Sequence, residues 1–307
     1  MNAPLVGITV LNYRQPAATL ACVNRLLEKE PGSSRILWLE NDSERTREEV
    51  LRVLGGVTFP WVELDGSETT LPPSGTVGVI FNPSNLGYAA GNNVGLRLLH
   101  RAGVPFVWIL NNDTQLSEGS SADLVAAALT RPAVGSWGTR IAEARESYSG
   151  AKISLRDFAP SLADGIQAVE SEPTSYISGC SLFMRLEVAA AAGFLPEDYF
   201  LYYEDTAFGF ELRRRGLPPS VVESVKILHS GSLSSGRRSP MMEYYMRRNR
   251  WVFIQRYFPE AMRRQQWRIF YTLQKYLLRF RLDRIRTELA AWRDFRANRL
   301  DRTDRVF

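Results

Sequence analysis

Three short clusters in this 307-residue chain hold side chains that could do chemistry. The first is Asn111-Asn112-Asp113-Thr114, which directly follows the apolar run PFVWIL. A carboxylate at the end of such a run can ligate a hard cation that also grips phosphate oxygens. Taken alone, polar residues after a strand more often make a plain turn. The second cluster is Tyr202-Tyr203-Glu204-Asp205. Acids at a helix start can act as an N-cap favoured by the helix dipole. That accounts for one carboxylate and leaves the neighbouring Phe200 and tyrosines unexplained. Aromatic rings beside a carboxylate suit sugar stacking and a poised general base. The third is His229, one of two histidines, which ends an apolar run and precedes Ser230–Gly236, rich in glycine and serine. A lone histidine is usually structural; a place between a strand and a loop suits a metal ligand equally well.

Strands and helices must position these clusters. Val6–Leu11 reads as a buried strand, and Gln15–Glu30 as a helix ended by Pro31 and Gly32. Ile36–Leu39 is a second strand, Glu40–Ser43 a polar turn and Arg45–Leu54 a second helix. Val77–Phe81 is a third strand, Gly87–Arg101 a helix and Pro105–Leu110 a fourth strand. This alternation predicts an α/β fold whose sheet begins mainly parallel. In such sheets ligands bind beyond the carboxyl ends of the strands. The polar groups Asn12–Tyr13, Glu40–Ser43, Asn82–Asn85 and Asn111–Asp113 all fall there. Gly138–Pro173 has weak periodicity and is expected to be loop-rich, with one or two edge strands. Tyr176–Arg185 reads as one strand and Leu186–Ala192 as a short helix. Leu201–Gly216 turns into a helix carrying Arg213, Arg214 and Arg215. Val221–Leu228 is a late strand, and helices follow Met241. There is no internal repeat.

The composition, 45% apolar and 23% charged, supports a packed core and excludes wholesale disorder. Two distant cysteines, Cys22 and Cys180, suit buried thiols in a reducing compartment better than a disulfide. No signal peptide is expected, and no stretch reaches the roughly 18 to 20 apolar residues of a bilayer span. The expected location is cytoplasmic. The net charge is +5, and arginines dominate from Pro240 onward. That asymmetry points to an anionic partner, a membrane surface or a phosphate-bearing ligand. Zinc-finger spacing and RNA-binding signatures are absent, so nucleic acid is not expected.

In order, VLNY, the ENDS turn, NPSNLGYAAGNNVG, LNND, SGCSLFMR, GFLPEDYFLYYED and ILH before a serine–glycine loop resemble glycosyltransferase family 2. The likeness covers roughly Val6 to Arg250 and is greatest to its bacterial rhamnosyltransferase-like branch, which builds surface polysaccharides. It implies a GT-A fold, with a Rossmann-like nucleotide-binding half (residues 1–115) fused to an acceptor-binding half (116–240) around a central mixed sheet. A basic, aromatic-rich helical region, 241–307, would follow. The resemblance places Asn12, Tyr13, Glu40, Asn85, Gly87, Asn92 and Asn112 around the donor. Asp113 and His229 would hold Mg2+ or Mn2+, Asp205 would be the base, and Glu204 its acidic neighbour. Arg247, Arg248 and Asn249 match a basic segment that can approach the diphosphate. The chain departs from the family pattern at Asn111 and Glu40, where aspartates are usual, and at Ala207, where an acid is frequent.

These assignments imply one displacement. The cation would neutralise the departing diphosphate while Asp205 takes the proton of an acceptor hydroxyl. A single base predicts inversion at the anomeric carbon. Glu204 would orient the acceptor or its loop. L-Rhamnose on deoxythymidine diphosphate is the leading donor, uridine-diphosphate sugars come next, and the acceptor would be a glycan or lipid-linked hydroxyl. Ser230–Gly236 is a candidate lid against hydrolysis of the donor, or an ordinary loop. For the C-terminal helices the alternatives are packing on the catalytic domain, favoured for 241–257, contact with an anionic membrane, favoured for 263–286, and homo-oligomerisation. Rival readings are a nucleotidyltransferase, which would need a glycine-rich loop with a basic residue in place of Asn12–Tyr13, and a binding protein that has lost turnover.

Overall fold

A computed structural model describes residues 6–30, 32, 34–144, 146–230 and 239–303. The N-terminal half follows the predicted alternation. It runs β1 (Val6–Asn12), α1 (Pro16–Lys29), β2 (Ser34–Asn41), α2 (Ser43–Leu54), β3 (Trp61–Leu64), β4 (Val77–Asn82), α3 (Tyr88–Arg101) and β5 (Phe106–Asn111). These strands pair in parallel in the order β3-β4-β2-β1-β5. Their carboxyl ends therefore share one edge of the sheet. Helices cover both faces, so the central strands are apolar throughout instead of alternating with polar residues. Along β1, Val6, Ile8 and Val10 join Trp38, Phe106 and Trp108 in one core layer. Leu37, Leu39, Val107 and Ile109 point the other way, toward Leu96, Leu98 and Leu99 of α3. This is the two-residue period of a pleated strand.

The second half continues with β6 (Thr114–Glu118), α4 (Ser121–Thr130), β7 (Ser136–Ala142), β8 (Ser147–Tyr148), β9 (Gly150–Ile153), β10 (Pro160–Ala163) and α5 (Ile166–Glu170). After these come β11 (Ser175–Tyr176), β12 (Ser181–Arg185), α6 (Leu186–Ala191), α7 (Glu204–Arg214) and β13 (Pro219–His229). The main sheet extends from β5 through β12, β7 and β13 to β6, with β8 paired to β7, which makes ten strands. Strand β12 runs antiparallel to β5, and β13 runs antiparallel to β6 but parallel to β7. The sheet is mixed, as expected.

Two sequence expectations change here. Residues 138–173 hold far more regular structure than a loop-rich connection: four strands and α5, with β10, β9 and β11 forming a second, three-stranded sheet. β8, β9 and β10, with two to four residues each, are too short for alternation to register as a pattern, and β7 is buried on both faces. The expected single strand Tyr176–Arg185 is broken into β11 and β12 by a turn at Ser178–Cys180, closed by Ser181 N donating to Ser178 O (3.2 Å) and Cys180 N to Ser178 Oγ (3.3 Å).

Helix α8 (Pro240–Tyr257) starts with Ser239, whose hydroxyl accepts from Met242 N at 3.1 Å, and with proline at its first position. Trp251, Phe253 and Ile254 pack with Phe158, Tyr199, Tyr203 and Phe210. The first C-terminal helix is thus built into the core of the second half. Helices α9 (Met262–Leu278) and α10 (Leu282–Arg296) follow, and Trp292 of α10 meets Trp251 edge to face at 4.7 Å. Cys22 and Cys180 are both free and buried.

Candidate active site

Parallel pairing aligns Asn12 with Glu40 and Asn41 with Asn82, while Asn111 sits beside Leu11. The ends of β1, β2, β4 and β5 thus make one polar shelf. Asn12 and Glu40 are fully buried within it. Asn12 Nδ2 donates to Glu40 Oε2, and Asn12 Oδ1 accepts from Gln15 N (3.1 Å), Thr19 Oγ1 (2.8 Å) and Asn112 Nδ2 (3.2 Å). Glu40 also accepts from Thr46 Oγ1 at 2.7 Å and Trp38 Nε1 at 3.4 Å. Burial raises the Glu40 carboxyl above its ordinary value, against the pull of these hydrogen bonds. The sequence reading put both residues in contact with a nucleotide. In the structure they lie beneath the shelf, joined to each other, because the last residues of each strand still obey its pleat.

The shelf instead exposes Tyr13, 38% accessible, and Arg14, which pairs with the buried Asp42. Arg14 donates to Asp42 Oδ2 through Nη2 (2.9 Å) and Nε (3.2 Å), and its guanidinium lies 5.1 Å from the Tyr13 ring centre. Both residues have positive φ, 56° for Arg14 and 125° for Asp42, a backbone state that non-glycine residues seldom adopt. The sequence reading missed this pair; the signal available was only that Asp42 lay within a polar turn.

Asn85, Gly87 and Asn92 belong to the bridge between the halves. Asn41 Nδ2 donates to Asn85 Oδ1 and Gly87 O, both at 3.1 Å, and Leu86 N donates to Asn41 Oδ1 at 3.0 Å. Gly87 has φ +85°, and a Cβ there would collide with the Phe200 carbonyl, so glycine is required twice over. Tyr88 N donates to that same carbonyl (2.8 Å), and Tyr88 Oη donates to Gly179 O (2.6 Å). Asn92 is buried inside α3, donating to Tyr88 O at 3.0 Å and accepting from Thr9 Oγ1 at 3.3 Å. Asn112 is half-buried and donates to Asn12 and Thr19.

Asp113 and His229, 116 residues apart, meet because β13 pairs His229 with Thr114 and Ser230 N donates to Asp113 O at 3.0 Å. His229 Nε2 lies 3.2 Å from Asp113 Oδ1, yet that buried oxygen has no hydrogen-bond partner. On the other side of the ring, Nδ1 lies 2.8 Å from Glu143 Oε1. With its proton on Nδ1, the imidazole aims a free nitrogen lone pair where Asp113 aims an oxygen. Neighbouring ligands on an octahedral cation with bonds of about 2.1 Å lie roughly 3 Å apart, which this pair matches. Burial pulls the His229 pKa down, but Asp113 and Cys180 push it up to about 11, so without a cation Nε2 carries a proton, and a metal would bind there by displacing it. Among the described residues no group of three or more His, Cys, Asp and Glu could hold a metal by itself. A cation here would take its remaining ligands from substrate and water, as magnesium does. Glu143 was not foreseen, since it lies in the stretch read as loop.

Glu204 and Asp205 open α7 directly after Tyr202 and Tyr203, which have φ of 69° and 75°. Two such residues cost on the order of 1–3 kcal/mol each. Asn249 of α8 holds the turn, its Nδ2 donating to Leu201 O (2.8 Å) and Tyr202 O (2.7 Å). Asp205 is half-buried; its Oδ2 accepts from Gly179 N (3.1 Å) and its Oδ1 from Thr206 N (2.6 Å). Burial raises its pKa, and the hydrogen bonds from Gly179 and Thr206 oppose the rise. Glu204 is buried with Oε2 unpartnered, and burial beside Asp205 lifts it well above the usual carboxylate range. Tyr203 is buried and donates to Phe158 O at 2.6 Å, so its ring is a packing group, not a sugar platform.

One turn ties these parts together. Gly179 N holds Asp205, Cys180 O accepts from Asn111 N (3.1 Å), and the Cys180 thiol lies against His229. Arg247 and Arg248, by contrast, are engaged with the C-terminal helices. Arg247 donates to Glu288 and, at 3.2 Å, to Tyr276 Oη; Arg248 is fully buried and donates to Asp301 O at 2.8 Å and Arg299 O at 3.3 Å. The expected approach of these guanidiniums to a diphosphate gives way to a packing role. Of the expected lid, residues 231–236 lie outside the described residues.

The mixed sheet, the polar shelf and the C-terminal helices define a GT-A fold. The chain superposes on the crystal structure of GalNAc-T7 with UDP, GalNAc and Mn2+, with TM-score 0.57 and 11% identity, covering 83% of this chain and 48% of that one. It also superposes on the mannosyltransferase PcManGT from Pyrobaculum calidifontis in complex with GDP-Man and Mn2+, with TM-score 0.54 and 15% identity, covering 86% and 65%. The chain therefore spans about half the length of the first and just under two thirds of the second. Compared by sequence, it matches no family model and no curated protein.

Proposed function

We propose that the protein is an inverting glycosyltransferase that moves a sugar from a nucleotide diphosphate to an acceptor hydroxyl. The observation that carries this reading is the Ser178–Cys180 turn, which holds Asp205 on one side and lies against His229 on the other. The two structural neighbours hold UDP with Mn2+ and GDP-Man with Mn2+, which agrees with a nucleotide-sugar donor. Tyr13 and Arg14 are the exposed groups at the shelf where a base would lie. Asp113 and His229 would hold Mg2+ or Mn2+, with Glu143 fixing the imidazole. A bound cation would neutralise the diphosphate as it leaves. Asp205 accepts the proton of the attacking hydroxyl; Gly179 N and Thr206 N keep its carboxylate aimed. Glu204, whose pKa burial lifts well above the usual carboxylate range, orients the start of α7.

The donor proposed first is dTDP-L-rhamnose, with UDP-sugars next, and the acceptor a glycan or lipid-linked hydroxyl in surface polysaccharide synthesis. The test is a nucleotide-sugar panel read by thermal stabilisation with and without Mn2+, since a bound ligand raises apparent stability. The anomeric configuration of the product is then read by NMR. Metal-dependent stabilisation by one nucleotide class and an inverted product are expected. No stabilisation by any nucleotide sugar, or a retained configuration, would overturn the reading.

A further inference from the structure

Helix α9 has one side seated and one side open. On the seated side, Arg264 Nη2 donates to Leu155 O (2.8 Å), Gln265 Nε2 donates to Arg156 O (2.9 Å), and Arg268 faces Asp157 at 3.7 Å. On the open side, Trp267, Phe270, Tyr271, Leu277 and Leu278 are each more than half exposed. With 3.6 residues per turn these positions share one face. Phe280 (89% exposed) and Leu282 (54%) extend it past the helix end. Single exposed apolar residues are ordinary, whereas a contiguous face of large ones marks an interaction surface.

The charges say what covers it. Helix α9 contains no acidic residue. Arg263, Arg264 and Lys275 are exposed along it, with Arg279 and Arg281 just beyond, the last paired with Asp283 at 3.1 Å. A second copy of the chain set against this face would bring like charges together, which disfavours self-association. Tryptophan and tyrosine rings favour the headgroup level of a bilayer, and flanking lysines and arginines are drawn to anionic lipids. No helix among the described residues is long and apolar enough to cross a membrane, so such contact stays at the surface.

We propose that the open face of α9, with Phe280 and Leu282, docks the protein on a bilayer surface carrying anionic headgroups. The seat of α9 continues into Phe158, whose carbonyl accepts from Tyr203 Oη two residues before Asp205. The docked side thus lies next to the loop that carries the proposed base, where a lipid-linked acceptor would be met. That last step rests on the transferase reading; the docking itself does not.

Sedimentation of the full chain with phosphatidylcholine vesicles, with and without phosphatidylglycerol, tests the docking without any catalysis. Binding is expected to be at least about tenfold tighter to the anionic vesicles and to weaken with salt. The double variant Arg263→Glu/Lys275→Glu should lose roughly 25-fold, at about fivefold per basic residue near the surface. The triple variant Trp267→Ala/Tyr271→Ala/Leu278→Ala should lose on the order of tenfold or more, its unfolding midpoint unchanged because these side chains are exposed. Equal partition to both vesicle types, or variants that bind like the parent, would overturn the proposal. So would a dimer that the triple variant dissolves while the parent fails to pellet with vesicles. A failed sugar-transfer assay leaves the vesicle result standing, which keeps the two readings separable.

Discussion

Two polar pairs sit at the carboxyl ends of central strands and could hardly differ more in their free valences. Asn12 and Glu40 are buried, and every oxygen and nitrogen of their side chains has a protein partner. Asp113 and His229 face each other with a buried oxygen that has none. A closed network fixes the shape of a site, and a buried polar atom left without a partner asks for a ligand. By this criterion the first pair is scaffold and the second is the proposed cation site, with Asp205 across the Ser178–Cys180 turn.

The steepest way to break that contrast is Asp205→Asn. Transfer should fall about 100- to 10,000-fold, the usual worth of general-base help, while donor binding persists. Steady-state kinetics beside a donor titration would separate the two effects, and full turnover would remove Asp205 from its role. Next comes Glu143→Gln, which loosens the imidazole without touching the metal pair. Metal titration of activity should shift by about 10- to 100-fold, the range for partners that orient a ligand. A titration curve identical to the parent's would show that Glu143 serves packing alone.

The scaffold pair should respond in the opposite manner. Glu40→Gln sets an amide against donors from Asn12, Thr46 and Trp38, and should cost about 1–3 kcal/mol of stability. Measured by denaturation at a temperature where the variant is folded, the metal titration should stay put. A shifted titration would erase the distinction between the pairs. The mildest expected effect is on pH. The proposed base Asp205 would work as the carboxylate, and its pKa is raised, so the rate should be full above that raised value and fall as pH drops through it. In a pH profile of kcat, the acid limb should lie above the ordinary carboxylate range and should vanish in Asp205→Asn.

The strand–helix alternation of residues 6–111 was legible because those elements are long and apolar. So was the meeting of Asp113 and His229, through motif order alone. The geometry between them was not. The expected strand Tyr176–Arg185 hides the turn whose Gly179 N holds Asp205, because the four interrupting residues, 177–180, are apolar or small and leave its pattern nearly intact. Glu143 follows β7, a seven-residue strand buried on both faces and so without alternation, and precedes the two-residue β8. Asn12, Glu40 and Arg248 were read as facing ligand because polarity in sequence carries no sign of direction, and a buried polar network looks the same as an exposed one until its partners are known. Asn249 shows the reverse: its position in a basic segment suggested phosphate, and the fold uses it to hold the turn before Asp205.

The central claim is most directly tested by a crystal structure with Mn2+ and a nucleoside diphosphate, located by anomalous scattering. The account predicts one manganese peak bonded to Asp113 Oδ1 and His229 Nε2, with the diphosphate on its open side and Asp205 facing the sugar position. A peak elsewhere, or a bound diphosphate with Asp113 and His229 touching only each other, would contradict it.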